Sequence, residues 1–320
     1  MIKRSQLWTL IRLALSIALL WLALRPIEWE TLQDARNQLS ISWLVLALLV
    51  MVTTNILAAI RWGWIARSGG LKLSWRRFIA LYFAGGLINQ GLPSTLGGDT
   101  YRAILSARDQ HISDHPALRY GVLYVALDRG IGLLTNVLIG ATGLILAGVF
   151  LIPWAPRIGW FILGLIGIGF TIVSVLMALE PHTRLVDRIL NRLRLPGALA
   201  AIRTTIAIPA SLGQLLLGIL IHLLTLYGFL LCLKAYGVEV PFEAIMIGIP
   251  ALTILMILPI SISGWGLRES TLSAVLAIWS VPASATVLAS ISFGLIIVVC
   301  YLPAGWFLIR NRVISKPTTT

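Results

Sequence analysis

Six apolar runs, each close to the length of a bilayer crossing, constrain this chain more than anything else in it. They fall at about 7–24, 41–60, 118–149, 158–180, 207–233 and 285–309. A hydrocarbon core of ~30 Å takes about 20 apolar residues of helix. Backbone polar groups find no water at that depth, so such runs fold as helices that bond internally. Only 12% of residues are Asp, Glu, Lys or Arg, against about 25% in soluble domains. That is too little charge for a water-facing surface. A soluble enzyme, a disordered tail and a secreted disulfide scaffold are excluded. The N-terminal run lacks a small-residue cleavage site and is followed by further spans, so it reads as a first span and not a removed signal.

Two further apolar stretches are broken. Residues 78–105 contain Gly85, Gly86, Gly91, Pro93, Gly97 and Gly98, and residues 242–281 contain Pro250, Pro259, Gly264 and Gly266. Charge orients them. Segment 61–77 carries Arg61, Arg67, Lys72, Arg76 and Arg77 without an acid. Segment 180–203 carries Arg184, Arg188, Arg192, Arg194 and Arg203 against Glu180 and Asp187. Because Lys and Arg collect on the inner side, both segments and both termini are expected in the cytoplasm. This placement absorbs most of the net charge of +13, so no nucleic-acid partner is expected. The Arg-rich stretch 184–203 is expected to lie on the anionic inner leaflet. Trp8, Trp62, Trp64, Trp75, Trp154, Trp160 and Trp306 fall near span ends, as an interfacial belt does.

The span count then requires 78–105 to enter and return from the cytoplasmic side, and 242–281 from the outer side. The expected fold is all-α: a polytopic membrane helix bundle of six full spans plus two re-entrant hairpins of opposite orientation, in a single integral membrane domain over 1–320. Irregular backbone at membrane depth persists only where protein or a polar cavity satisfies it, so both hairpin tips are candidate sites.

The two hairpins also read as a repeat. L-P-S-T-L-G-G-D-T-Y-R (92–102) and L-P-I-S-I-S-G-W-G-L-R (258–268) share Leu, Pro, one Gly and Arg at an offset of 166. The same offset carries 41–60 onto 207–226. The halves, about 1–150 and 151–320, have opposite polarity, and inverted repeats with broken helices are a transporter pattern. The plainer alternative is two unrelated Pro/Gly kinks.

Six ionisable residues reach hydrophobic depth: Asp99, Arg102, Asp128, Arg129, Arg268 and Glu269. An Arg or Asp at a span centre costs ~2.5–3.5 kcal/mol on insertion scales. Gly97-Gly98 and Gly264-Trp265-Gly266 each precede a short helical run, with Arg102 and Arg268 about one turn in. Helix N-termini offer free N–H groups, and the Arg fork matches phosphate. This reads as an anion site best matched by a phosphate headgroup. Asp99 and Glu269 pair with the arginines when the site is empty, or take protons. Asn89 and Gln90 are placed to bond the unwound backbone, and Asp128-Arg129 to reach the hairpin tip. The plainer alternative is mutual ion pairing that only holds the bundle together. His222, alone in its span, reads as interhelical glue.

No G-x-x-x-x-G-K-S/T occurs, so the chain is not expected to be ATP-driven. His111, His115 and His182 lack metal-ligand spacing, and Cys232 and Cys300 read as buried hydrophobes. No cofactor, metal or catalytic residue is expected.

N-Q-G-L-P-S-T-L-G-G-D-T-Y-R (89–102), A-L-D-R-G-I-G-L (126–133) and P-I-S-I-S-G-W-G-L-R-E (259–269) together resemble the flippase-like transmembrane region of bacterial lysylphosphatidylglycerol synthases. The similarity covers nearly the whole chain. It implies transfer of a phospholipid or lipid-linked headgroup between leaflets of the bacterial inner membrane. By motif position it points to Asn89, Pro93, Gly98, Asp99, Arg102, Asp128, Arg129, Gly264, Gly266, Arg268 and Glu269. Members of that family often carry Glu where Asp99 and Asp128 stand. These residues contain no aminoacyl-transfer domain, so lysylphosphatidylglycerol synthesis is not expected.

The expected function is flippase- or scramblase-like translocation through a polar cavity between the hairpins. The rival readings are a membrane enzyme on a lipid phosphate or lipid-linked sugar, an accessory subunit of a synthase or glycosyltransferase, and an ion or solute carrier. A homo-oligomer is compatible with each.

Overall fold

The computed structural model describes residues 4–25, 38–91, 96–108, 116–150, 152–178, 188, 192, 202–205, 210–258 and 260–314. Pro93, Pro259, His111, His115, His182 and nearly all of the Arg-rich stretch 184–203 lie outside these residues. The described residues form helices α1 (Arg4–Leu24), α2 (Ile41–Ser68), α3 (Trp75–Gly91), α4 (Leu96–Arg108), α5 (Pro116–Phe150) and α6 (Ala155–Ala178). They continue with α7 (Ala210–Ala235), α8 (Phe242–Leu255), α9 (Leu267–Leu276), α10 (Ala283–Tyr301) and α11 (Ala304–Ile314), with a 3₁₀ turn at Ala277–Trp279. No strand occurs among the described residues.

Four stretches are long and apolar enough to cross a bilayer: Ile41–Ser68, Leu118–Val149, Ala210–Ala235 and Ala283–Tyr301. Leu13–Leu22, Ala155–Gly169 and Phe242–Leu255 are shorter apolar helices. The molecule is therefore an all-α, multi-pass membrane protein. Proline marks several helix starts: Pro116 opens α5, and Pro241 and Pro282 immediately precede α8 and α10. Its fixed φ suits the first turn, where the missing N–H would be unbonded anyway.

The second span departs from expectation. The apolar run ends near residue 60, but α2 continues to Ser68. Residues 61–68 contain no Pro, and the first break is at Gly69-Gly70, where Gly70 has φ +104°. Arg61 and Trp62 are thus buried helix residues and not part of a basic loop and an interfacial belt. The belt reading fits Trp154, Trp160 and Trp306, which stand exposed.

The helices divide into two compact units. The first takes residues 1–55, 82–98 and 223–320, and the second takes 56–81 and 99–222. Each draws on both halves of the sequence. In the first unit, Phe229 and Phe293 pack edge to face with ring centroids 5.6 Å apart. Leu272 and Leu276 are buried on α9. In the second, Trp62 and Phe78 pack at 88° with centroids 5.1 Å apart.

Both helix breaks are set by close backbone approach. A Cβ on Gly98 would lie 2.0 Å from the carbonyl oxygen of Gly85, so α4 starts directly against α3. Between α8 and α9 the chain takes left-handed conformations at Ser263 (φ 50°), Gly264 (φ 80°) and Gly266 (φ 81°). A Cβ on Gly266 would lie 2.6 Å from Leu19 Cβ and 2.7 Å from the Ser16 carbonyl oxygen. Ser16 Oγ also accepts the Ile262 amide at 2.8 Å. The second break therefore rests on α1.

Candidate functional site

In the second unit, five charged side chains alternate in sign. Arg61 Nε donates to Asp128 Oδ1 at 2.9 Å, and its Nη2 donates to the Asp128 carbonyl at 3.2 Å. Arg102 Nη1 lies 3.6 Å from Asp128 Oδ2, and Arg102 Nη2 donates to Asp99 Oδ1 at 2.8 Å. Arg129 completes the row with Nε on Asp99 Oδ2 (2.8 Å) and Nη2 on Asp99 Oδ1 (2.9 Å). The order is Arg61–Asp128–Arg102–Asp99–Arg129. The Arg129 side chain is 53% exposed, while the other four are buried. The Arg102 guanidinium also lies over the Trp62 ring, 4.8 Å from its centroid. α4 supplies Asp99 and Arg102 at i and i+3, one face of a helix. α5 supplies Asp128 and Arg129, and α2 supplies Arg61.

In the first unit, Arg268 Nη2 and Nε donate to Glu269 Oε1 at 2.9 and 3.1 Å. Ser290 from α10 joins them: its Oγ donates to Glu269 Oε1 at 3.0 Å and accepts from Arg268 Nε at 3.2 Å. Arg268 lies over Trp265 at 4.7 Å. Its Nη2 would lie 2.0 Å from a Cβ on Gly294, so only glycine leaves room for it. The other carboxylate oxygen of Glu269 accepts the Gly266 amide at 2.7 Å. That bond satisfies a donor at the α9 N-terminus, as the reciprocal half of a capping box does.

The broken tips are tied in the same unit. Asn89 Oδ1 accepts the Gly98 amide at 2.7 Å, and Ser263 Oγ donates to Gln90 Oε1 at 2.9 Å. The structure thus joins Asn89 to Gly98, and Asp99 and Arg102 to Asp128 and Arg129, and sets Glu269 against both Arg268 and Gly266. Gly97 sits half-buried in the first turn of α4, and Gly264 packs on Met256.

The three sequence motifs thus supply two buried arginine–carboxylate groups next to helix breaks in an all-helical membrane protein. A family model described as the lysylphosphatidylglycerol synthase TM region matches residues 9–305. The chain belongs to this family. The match spans both helix breaks and both charged groups. No curated protein matches the chain.

In this member of the lysylphosphatidylglycerol synthase TM family, four site neighbours escape the motif reading. Arg61 sits among cations that read as an orienting loop. Trp62 reads as an interfacial residue, and Ser290 lies in a uniformly apolar run. Trp265 stands inside a motif but carries no charge. The signal for Arg61 is present in the sequence: it is the first cation after the apolar run, with no proline or paired glycines before Gly69-Gly70. His222 does what a lone polar residue in a span does. Its Nε2 lies 2.8 Å from the Gly132 carbonyl oxygen, tying α7 to α5.

Proposed function

We propose that this protein translocates a phospholipid or lipid-linked anionic headgroup between leaflets, in the manner of a flippase or scramblase, without ATP as driver. The single observation that carries the reading is the doubled arginine group. Arg102 and Arg268 are each buried, each stacked on a Trp and each paired with a carboxylate, close after a helix break. Burying an Arg and an acid only to pair them is a poor stability device, because apolar packing serves as well.

The correspondence between the halves supports an inverted repeat. At the offset of 166 residues Arg102 matches Arg268 and Asp128 matches Gly294. Arg102 lies 3.6 Å from Asp128, and Arg268 packs on Gly294. The same register thus holds each guanidinium against the following long helix. The helices flanking each break, of 17 and 13 residues and of 14 and 10 residues, fall short of the ~20 needed to span. This supports two re-entrant hairpins with six full spans, in one membrane domain with halves near 1–150 and 151–320. Both termini are read as cytoplasmic, in a bacterial inner membrane.

The bonding of Asp99 supports an exchange of carboxylate for phosphate. Its two oxygens are held by Arg102 and Arg129 with the spacing of a carboxylate fork. Two phosphate oxygens fit the same donors. An arriving phosphate displaces Asp99, and Asp99 retakes the donors when the headgroup leaves. Asp128 keeps its bond from Arg61, and Glu269 its bonds from Arg268, through the cycle. The substrate-binding set is Asn89, Pro93, Gly97, Gly98, Asp99 and Arg102 of the first hairpin, Asp128 and Arg129 of α5, and Gly264, Gly266, Arg268 and Glu269 of the second hairpin, while the acyl chains stay in lipid.

The test is a leaflet assay in proteoliposomes with short-chain fluorescent phospholipids. Arg102→Ala and Arg268→Ala should each slow translocation at least ~10-fold, the loss of one charge-assisted contact. Variants as fast as wild type would remove the headgroup site.

A further inference from the structure

Trp62 is wholly buried on α2 and lies in the same unit as Arg102. Its ring packs edge to face on Phe78, at 88° with centroids 5.1 Å apart. The Arg102 guanidinium lies over the same ring, 4.8 Å from its centroid. Both contacts use the ring alone. A phenyl ring would also pack there and would also offer a guanidinium its face. The indole adds one polar atom, Nε1, and that atom is buried with no acceptor among the described residues.

A buried indole N–H usually has a partner, and leaving one unbonded costs the desolvation of the group. Arg61 Nη1, beside it on α2, is also unbonded. Its guanidinium, however, is anchored on Asp128 through Nε and Nη2. Trp62 has a single donor, and nothing of this kind holds it. The chemistry of that donor restricts what can satisfy it. An indole N–H donates and never accepts. Its partner is an acceptor oxygen, as in a phosphate or an ester, and not an ammonium group.

We propose that Trp62 is a ligand-binding residue of the headgroup site: its Nε1 donates to one oxygen of a phosphodiester while Arg102, seated on its ring, donates to another. The inference rests on the headgroup reading above and deepens it, because it adds a neutral N–H to the guanidinium donors and places the phosphate, not an amine, at this point. A phosphate that displaces Asp99 from Arg102 arrives beside the ring that Arg102 covers, and Nε1 gains its acceptor.

The experiment measures binding of short-chain phosphatidylmethanol, neutral dihexanoylglycerol and inorganic phosphate to the full chain in detergent. Dihexanoylglycerol carries the esters without the phosphate, and inorganic phosphate the oxygens without the lipid. Trp62 is replaced by benzothienylalanine, which keeps both rings and exchanges the N–H for sulfur. This variant should bind phosphatidylmethanol about tenfold more weakly than wild type and dihexanoylglycerol unchanged. Without ligand it should melt at or above wild type, because an unbonded N–H has been removed. Trp62→Phe should lose a similar factor, and Trp62→Leu, which also removes the aromatic face under Arg102, should lose more.

Equal phosphatidylmethanol affinity in the benzothienyl variant, with wild type still preferring the diester, overturns the role of Trp62 alone. Lower melting at that equal affinity would mean that the N–H is bonded within the fold, through water. An equal loss for dihexanoylglycerol would assign the N–H to an ester and overturn the phosphate contact. If wild type binds phosphatidylmethanol no better than dihexanoylglycerol, or no better than inorganic phosphate, the lipid headgroup reading falls, and the role of Trp62 with it. Should the benzothienyl variant fail to fold, Trp62→Phe decides the matter on the same readouts.

Discussion

Asn89, the third residue from the end of α3, accepts the Gly98 amide in the first turn of α4 at 2.7 Å. One arm of the first break thus caps the other. The amides of a first helical turn have no intrahelical partner, so a side-chain acceptor takes one of them. Asn89→Ala should cost about 1 kcal/mol, the usual value of such a cap, and Asn89→Asp should retain it because a carboxylate accepts equally well. Thermal melts of the detergent-solubilised protein measure both. Equal melting for Asn89→Ala and wild type would show that the bond contributes nothing.

The two left-handed glycines of the second break should differ in their tolerance of a side chain. Both pay for a positive φ, about 1–2 kcal/mol for a non-glycine residue. A methyl at Gly264 then meets Met256 Cε at 2.8 Å, the far end of a flexible side chain. A methyl at Gly266 meets the α1 backbone at Ser16 and Leu20. Backbone cannot swing away, and overpacking costs a further ~1–3 kcal/mol. Gly266→Ala should therefore melt well below Gly264→Ala. The reverse order would mean that α1 does not hold this break.

How much of this is legible in the sequence depends on how local the signal is. Apolar run length predicts α5 and α7 closely, because lipid as solvent leaves helix as the one way to satisfy the backbone, whereas the run expected at 285–309 is divided at Leu302-Pro303 into α10 and α11. Clustered Pro and Gly predict both breaks. The pairing of Arg268 with Glu269 and of Arg102 with Asp99 follows from their closeness in sequence. Arg61 is different. Its acid lies 67 residues away, and a rule that counts cations near span ends treats a buried Arg and a loop Arg alike. Ser290 is missed for the same reason: its partners are on another helix, and a small hydroxyl leaves an apolar run apolar. The residues that brace the charged groups from neighbouring helices are those that one-dimensional patterns do not carry.

His222 provides a contrast to the charged groups. Its ring bonds to the Gly132 carbonyl across α7 and α5, and it does not bond Asp99, Arg102 or Arg129. Hydrogen bonds between membrane helices contribute ~0.6 kcal/mol on average. His222→Leu should lower stability by about that amount, read as a small shift in melting, and leave the rate of headgroup translocation within about twofold of wild type. A tenfold loss of translocation without a matching loss of stability would place His222 in the transport machinery.

The bond from Ser263 to Gln90 joins the two helix breaks at 2.9 Å. In a rigid protein it is one more polar contact. In a protein whose broken helices separate to pass a headgroup, it must break in each cycle. Cysteines at both positions, with Cys232 and Cys300 replaced by Ala, allow a short thiol-reactive cross-linker to hold the tips together. Cross-linking should proceed readily, stop translocation in proteoliposomes and leave melting unchanged or raised. A reducible linker should restore transport when cleaved. Full transport with the linker in place would mean that the tips stay together throughout, and that the headgroup path does not require them to part.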